Sequence, residues 1–281
     1  MISINDLTFG YKKGQPILSG INLELHQGKI YGLFGLNGAG KTTLLNNIAG
    51  MLFPKSGSCL MDGKKTMLRN PVVMSDIFIV AEQFDLPKLT GQKYIELHRL
   101  FYPGFDNQQM EDIMLEFDIN KTKMLPELSF GQRKKFLVAF AIATQARLLI
   151  FDEPTNGLDI PSKSQFRRII SSLDAESRCI LISTHQVRDL GSMIEHIIVL
   201  KDGSVIFNRS LEDIADRLSI QKLESDSSPD SYIYGEETLG GINAIVASQG
   251  DTIGEFDLEL LFNGIIQKTE EMNQQFEGVL S

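Results

Sequence analysis

Gly35-Leu36-Asn37-Gly38-Ala39-Gly40-Lys41-Thr42 stands between an apolar run at 29–34 and a segment in which Leu44, Leu45, Ile48 and Ala49 recur at helical spacing. Gly35, Gly38 and Gly40 let the main chain curl tightly and aim its N–H groups at one point, and the start of the following helix adds a field that favours anions. Lys41 is placed to reach terminal phosphates, and the hydroxyl of Thr42 to ligate a magnesium ion. Strand, glycine loop and helix in this order imply a nucleoside-triphosphate site on an α/β fold. Alone, the loop fits many classes of NTPase.

Working outward, the apolar run Leu148-Leu149-Ile150-Phe151 leads into Asp152-Glu153, and Pro154 stops the strand there. Unaided, the two acids would read as a solvated pair. With a phosphate loop upstream, they stand where an open parallel sheet presents its ligand crevice. Asp152 would hold Mg²⁺, and Glu153 would orient the attacking water or accept its proton. Short apolar runs at 179–183, 197–200 and 205–207 alternate with helices predicted over 161–173 and from Gln186, as in a buried sheet. Strand-like runs at 2–9, 21–25 and 29–34 read as an antiparallel lead-in. Between Phe84 and Ala146 the pattern turns helical. One stripe is Tyr94, Leu97, Leu100 and Phe101; a second is Met110, Ile113, Met114 and Phe117 behind an Asp106/Gln109 capping box. The predicted fold is a three-layer P-loop NTPase core with an antiparallel β subdomain and an inserted helical subdomain at about 85–146. The Ser/Asp/Pro-rich stretch 225–231 reads as a linker. Beyond it, strand-like 232–234 and 244–247 and a stripe of Leu258, Leu261, Phe262 and Ile265 behind an Asp257 cap make a small C-terminal α+β extension.

The 281 residues are 42% apolar, enough for a substantial core, and the net charge of −9 without a basic tract argues against a general grip on nucleic acid. Cys59 and Cys179, far apart in apolar runs, read as reduced buried thiols and fit a cytosolic chain. The N-terminus lacks a signal-peptide layout, and no apolar run approaches the roughly 20 residues that cross a bilayer. Work at a membrane would therefore need other chains.

Leu128-Ser129-Phe130-Gly131-Gln132 lies between the phosphate loop and Asp152-Glu153, before a helix with apolar Phe136, Leu137, Phe140 and Ala143. With these motifs in this order, residues 1–210 resemble the ATP-binding-cassette (ABC) ATPase domain; 211–281 lie outside the resemblance. It implies ATP and Mg²⁺ as ligands, with nucleotide contacts from Gly35, Asn37, Gly38, Gly40, Lys41, Thr42 and Thr43. Tyr11 would stack on adenine, although core packing is a competing explanation for that residue. Gln83 is similar to the family's Q-loop glutamine, near the metal and the water, and His185 to the switch histidine at the γ-phosphate. Asn156-Gly157-Leu158-Asp159 matches the D-loop. Ser129, Gly131, Gln132 and Asp159 would complete the site of a second copy, so that two nucleotides are sandwiched in a homodimer. Phe130 stands where glycine is usual.

The resemblance implies an ATP-hydrolysing subunit, peripheral on the cytoplasmic face, that drives separate integral membrane permease subunits. Glu153-Pro154-Thr155-Asn156-Gly157-Leu158-Asp159 and Tyr102-Pro103-Gly104-Phe105-Asp106 look more like exporter-type subunits. Two rival readings are a soluble ABC ATPase acting on nucleic acid or ribosomes, and a module that holds ATP without hydrolysing it. Against the first, DNA-repair members carry long coiled-coil inserts and translation-factor members two cassettes, and this sequence shows neither; intact Lys41, Glu153 and His185 count against the second.

Overall fold

A computed structural model describes residues 1–12, 14–173, 176–248 and 257–277. In chain order the elements are β1 (Ile2–Phe9), β2 (Leu18–Leu25), β3 (Lys29–Phe34), α1 (Lys41–Ile48), β4 (Ser56–Met61), β5 (Lys64–Lys65), α2 (Pro71–Met74) and β6 (Ile77–Val80). There follow α3 (Gly91–His98), α4 (Asn107–Glu116), α5 (Phe130–Ala143), β7 (Leu148–Asp152), α6 (Ile160–Ser171), β8 (Cys179–Thr184), β9 (His196–Lys201) and β10 (Ser204–Ser210). The last part of the chain adds α7 (Leu211–Arg217), β11 (Leu218–Leu223), β12 (Tyr234–Thr238), β13 (Gly241–Ala247), α8 (Leu258–Gln267) and α9 (Thr269–Gln274).

The central sheet has the order β10-β9-β3-β8-β7-β6, parallel except for the antiparallel edge strand β10. Both of its faces are covered, so its inner strands carry near-continuous apolar runs such as Leu148–Phe151 and Ile197–Leu200, and alternate residues enter different cores. Leu148, Ile150, Leu181, Leu33 and Leu200 pack with Leu44, Leu45 and Ile48 of α1 and with the antiparallel sheet β2-β1-β4-β5. Leu149, Phe151, Ile180, Ile182 and Val199 point the other way, onto α5 and Phe166, Ile169 and Ile170 of α6. The three layers and the helical region thus follow the sequence expectation, and 2–9 and 21–25 pair antiparallel as anticipated, but 29–34 does not belong with them: as β3 it lies inside the parallel sheet between β9 and β8, where both of its faces are buried. Cys59 and Cys179 are buried free thiols, and burial pushes each up to about 12.

Three further expectations take a different form. The helix anticipated from Gln186 is two 3₁₀ turns, Val187–Asp189 and Gly191–Met193. Asp189 is drawn to Thr155 Oγ1 at 2.9 Å and Lys163 Nζ at 2.6 Å, and Gly191 has φ +52°, so the chain bends instead of winding on. The stretch 225–231 joins β11 to β12 as a loop inside the sheet β11-β13-β12, and does not separate units. Finally, the C-terminal part shares the main core. Asp257 caps α8 through the N–H groups of Glu259 and Leu260, and Leu258, Leu261, Phe262 and Ile265 join the cluster beneath the central sheet. Phe262 meets Phe34 edge-on at 6.2 Å, Asn273 Nδ2 donates to Ile206 O at 3.0 Å, and Arg188 pairs with Glu259. Burying each such Leu or Phe contributes about 1.5–3 kcal/mol, far more than the exposed ion pair.

Candidate active site

The phosphate loop leaves β3 at Gly35, where a Cβ would lie 2.5 Å from Leu200 O of β9, so only glycine allows the two strands to approach this closely. It enters α1 through Gly40 at φ +105°, another conformation that favours glycine. Lys41 is buried, and its ammonium donates to Gly35 O at 2.8 Å while standing 3.7 Å from Glu153 Oε1. The next residue, Thr42, donates its hydroxyl to Asp152 Oδ2 at 2.7 Å, which joins α1 to the end of β7.

Asp152 also accepts from the Ser183 hydroxyl on β8. Burial raises its carboxyl above the ordinary range, the Ser183 and Thr42 hydroxyls oppose the rise, and the neighbouring Glu153 charge adds to it. Glu153 is just outside the strand at φ +47°, a left-handed conformation that a residue with a side chain rarely adopts. Its N–H donates to Ser183 O and Oγ, both at 3.1 Å. Thr184 Oγ1 donates to Glu153 Oε2 at 3.2 Å, and His185 Nδ1 stands 2.8 Å from Oε1. An ionised carboxylate only accepts, so this contact assigns the proton to Nδ1. The carboxylate is therefore gripped from both oxygens and aimed into a cavity of about 580 Å³.

Asn37, Gly38, Gly40, Lys41, Thr42, Thr43, Glu153 and His185 line that cavity; Gly35 and Asp152 do not, and are tied to it through Lys41 and Thr42. Gln83 does not line it. Its side chain is exposed, and Glu82 faces the cavity instead, held by Asn156 Nδ2 at 3.1 Å from Glu82 Oε1. Glu82 and Asn156 were not singled out as cavity side chains from sequence, and Glu82's position two residues beyond the end of β6 is the only local signal for it. Tyr11 is 65% exposed and packs edge-on against Phe9 at 5.0 Å, outside the cavity lining.

Ser129, Gly131, Gln132 and Asp159 also lie outside the lining of this cavity. Ser129 is exposed and forms a capping box at the start of α5: its hydroxyl accepts from Gln132 N at 3.2 Å, and its N–H donates to Gln132 Oε1 at 3.1 Å. Exposed Asp159 caps α6 by accepting from Ser162 N at 3.0 Å, which holds its carboxyl below the usual range. Phe130 stacks on Phe84 at 5.5 Å.

Removing the Asp152 charge has two opposite consequences. A carboxyl raised in the fold costs stability while it is ionised and is relieved as pH falls toward its raised pKa. Asp152→Asn should therefore melt at a higher temperature than the native chain at neutral pH, with the gap narrowing on acidification. ATP hydrolysis should fall by about 100-fold or more. Thermal melts at several pH values and a phosphate-release assay check both signs.

A strand, glycine loop and helix, with an aspartate–glutamate pair at the end of the parallel strand one place removed in the same sheet (β3-β8-β7), define a P-loop ATPase. A family model described as ABC transporter matches residues 18–156. The chain is 30% identical over 202 residues to the ABC transporter ATP-binding protein YtrB of Bacillus subtilis, covering 72% of this chain and 69% of YtrB. It is 28% identical to NatA of the same organism, over 86% of this chain and all of NatA. Among solved structures, the dimeric MJ0796 ABC transporter cassette superposes with a TM-score of 0.67 at 26% identity, over 75% of this chain and 99% of that one. The chain belongs to the ABC transporter family, as an ATP-binding and ATP-hydrolysing subunit.

Proposed function

We propose that the cavity binds ATP with Mg²⁺, and that two copies of the chain close face to face around two nucleotides to drive membrane permease subunits. The observation that carries this reading is the convergence of Lys41, Thr42, Glu153 and His185, from separate elements, on one cavity, with buried Asp152 directly behind Thr42 and bonded to its hydroxyl. Lys41 and the loop amides hold the phosphates. The Thr42 hydroxyl and the Asp152 carboxylate are hard oxygen donors already 2.7 Å apart, which suits Mg²⁺. Among the described residues, no cluster of three or more His, Cys, Asp or Glu could form a full protein cage, and Mg²⁺ is ordinarily held by one or two protein ligands, phosphates and water. Bound there, the ion would neutralise charge on the terminal phosphates. Glu153 orients the attacking water and takes its proton, with its carboxylate fixed by Thr184 and His185; His185 also contacts the γ-phosphate. Glu82 takes the place facing the cavity that was anticipated for Gln83.

Ser129, Gly131, Gln132 and Asp159 serve the partner's nucleotide. Ser129 and Asp159 are exposed and Gly131 and Gln132 half-buried, all four away from their own cavity, which supports this, as does the MJ0796 cassette having been solved as a dimer. Gly131 has room for a side chain, its nearest neighbours standing 3.5 Å from a built Cβ, so Gly131→Asp spares the chain's own packing and repels the partner's phosphate. Mixed with Lys41→Ala, it should regain activity, because each heterodimer contains one intact composite site. In an equal mixture half of the dimers are mixed, each with one of its two sites intact, so about a quarter of the native sites are restored and turnover should rise above that of either protein alone. A mixture no more active than its separate components would refute the shared site.

Partnership with integral membrane subunits, a peripheral place on the cytoplasmic face and an exporter-type direction complete the proposal. Among the described residues no helix is long and apolar enough to cross a membrane, and the reading assigns the membrane path to separate permease subunits. Relatives at 29% identity include the cobalt import ATP-binding protein CbiO of Salmonella, so the cassette alone does not fix direction. Affinity capture from native membranes should bring down polytopic proteins; ribosomes or nucleic acid in their place would favour the soluble alternative.

A further inference from the structure

Lys134 lies just over one turn into α5, the helix opened by Ser129, Phe130 and Gly131, and its side chain is fully buried. Its ammonium donates to Glu153 O at 2.8 Å and to Asn156 O at 3.0 Å. These carbonyls bound the turn Glu153-Pro154-Thr155-Asn156, which begins in the left-handed conformation of Glu153. A buried charge is retained only where its donors are satisfied, and here they are spent on the backbone that fixes the direction of the Glu153 side chain. Glu82, Glu153 and Asp152 supply the surrounding negative charge and oppose the burial that lowers the ammonium to about 8.

Phe130 covers this ammonium, its ring centroid 5.1 Å from Nζ. The same ring stacks on Phe84, two residues beyond Glu82, and its edge comes within 3.1 Å of where a Cβ on Gly157 would be. One corner of the molecule therefore joins the Glu82 loop, the start of α5 and the turn after β7.

We propose that Lys134 is a positioning residue for hydrolysis, tying the helix end that meets the partner's triphosphate to the turn that carries Glu153. Packed helices move as rigid bodies, so a shift of α5 against the partner's phosphate would pull on the Glu153 and Asn156 carbonyls. Closure of one site thereby sets the carboxylate of the other, and Phe130 keeps water from the link. The inference rests on the two-copy sandwich proposed above.

The test compares kcat, ATP affinity and melting temperature for the native chain, Ser129→Ala, Lys134→Met and the double variant. Lys134→Met keeps the apolar stem and removes the donors. We expect kcat to fall about 10- to 100-fold, the scale of a misplaced reacting group, with affinity for a fluorescent ATP analogue within about twofold of native. The double variant should be about as slow as the slower single variant, because both break one link. Native kcat in Lys134→Met, a parallel loss of nucleotide affinity and melting temperature, or single effects that multiply would each overturn the inference. If Ser129→Ala itself turns over at the native rate, the sandwich reading fails instead.

Discussion

Glu153→Gln is expected to lower ATP turnover by about three orders of magnitude while leaving ATP bound, the scale associated with loss of a positioned general base. The exchange is nearly isosteric, so the site should keep its shape: Thr184 Oγ1 can still donate to the amide oxygen as it does now to Oε2 at 3.2 Å. What disappears is the proton acceptor for the attacking water and a negative charge facing the γ-phosphate. The first loss stalls hydrolysis; the second favours the triphosphate-bound form. The variant should accumulate as a dimer in the presence of ATP, while the native chain hydrolyses its nucleotide and separates. Single-turnover phosphate release and light scattering with and without ATP measure the two effects. Turnover near the native rate would remove Glu153 from its assigned role.

Lys41→Ala should abolish nucleotide binding more completely than any other single change. Its ammonium is buried, 2.8 Å from Gly35 O and 3.7 Å from Glu153 Oε1, at the point where the loop, the helix and the carboxylate meet. A charge-assisted hydrogen bond contributes about 1.5–3 kcal/mol, so losing two to the phosphates corresponds to roughly 100-fold or more in affinity. Removing the cation also leaves the Glu153 and Asp152 charges facing an incoming triphosphate. Lys41→Arg should recover little, since the planar guanidinium needs more width than a pocket shaped for a compact ammonium. Titration with a fluorescent ATP analogue reads the outcome, and affinity within threefold of native would contradict the placement.

The parts of this site that are legible in the sequence are those whose geometry is local. A glycine loop followed by Lys41-Thr42 works through backbone conformation and a helix start, both encoded within a few neighbours. Asp152 and Glu153 are found because a buried parallel strand must end where its apolar run ends. Ser129 and Gln132 form a capping box across three residues, and Asp257 caps α8 in the same local manner.

Other features depend on partners far along the chain. Whether Glu82 or Gln83 faces the cavity is decided by Asn156, 74 residues away, and the loop after β6 has no periodicity to reveal it. The segment after His185 bends because Asp189 bonds Thr155 and Lys163. Phe130, an anomaly in its motif, is explained only by Phe84, Lys134 and Gly157 gathered around it. The C-terminal part looks like an appendage from its linker-like composition, yet α8 contributes to the core beneath the central sheet.

The class of chemistry, the order of layers and the glycine loop with its Lys41-Thr42 are legible in the chain alone, since these follow from periodicity, strand ends and tight turns. How Glu153 is aimed, which residue of the Glu82-Gln83 pair meets the cavity, and the buried lysine that joins the Ser129 helix to the turn after β7 are set by the folded arrangement. The physical reason is that these depend on side-chain donors meeting backbone carbonyls across segments that are distant in sequence, and such pairings exist only once the sheet has brought those segments together.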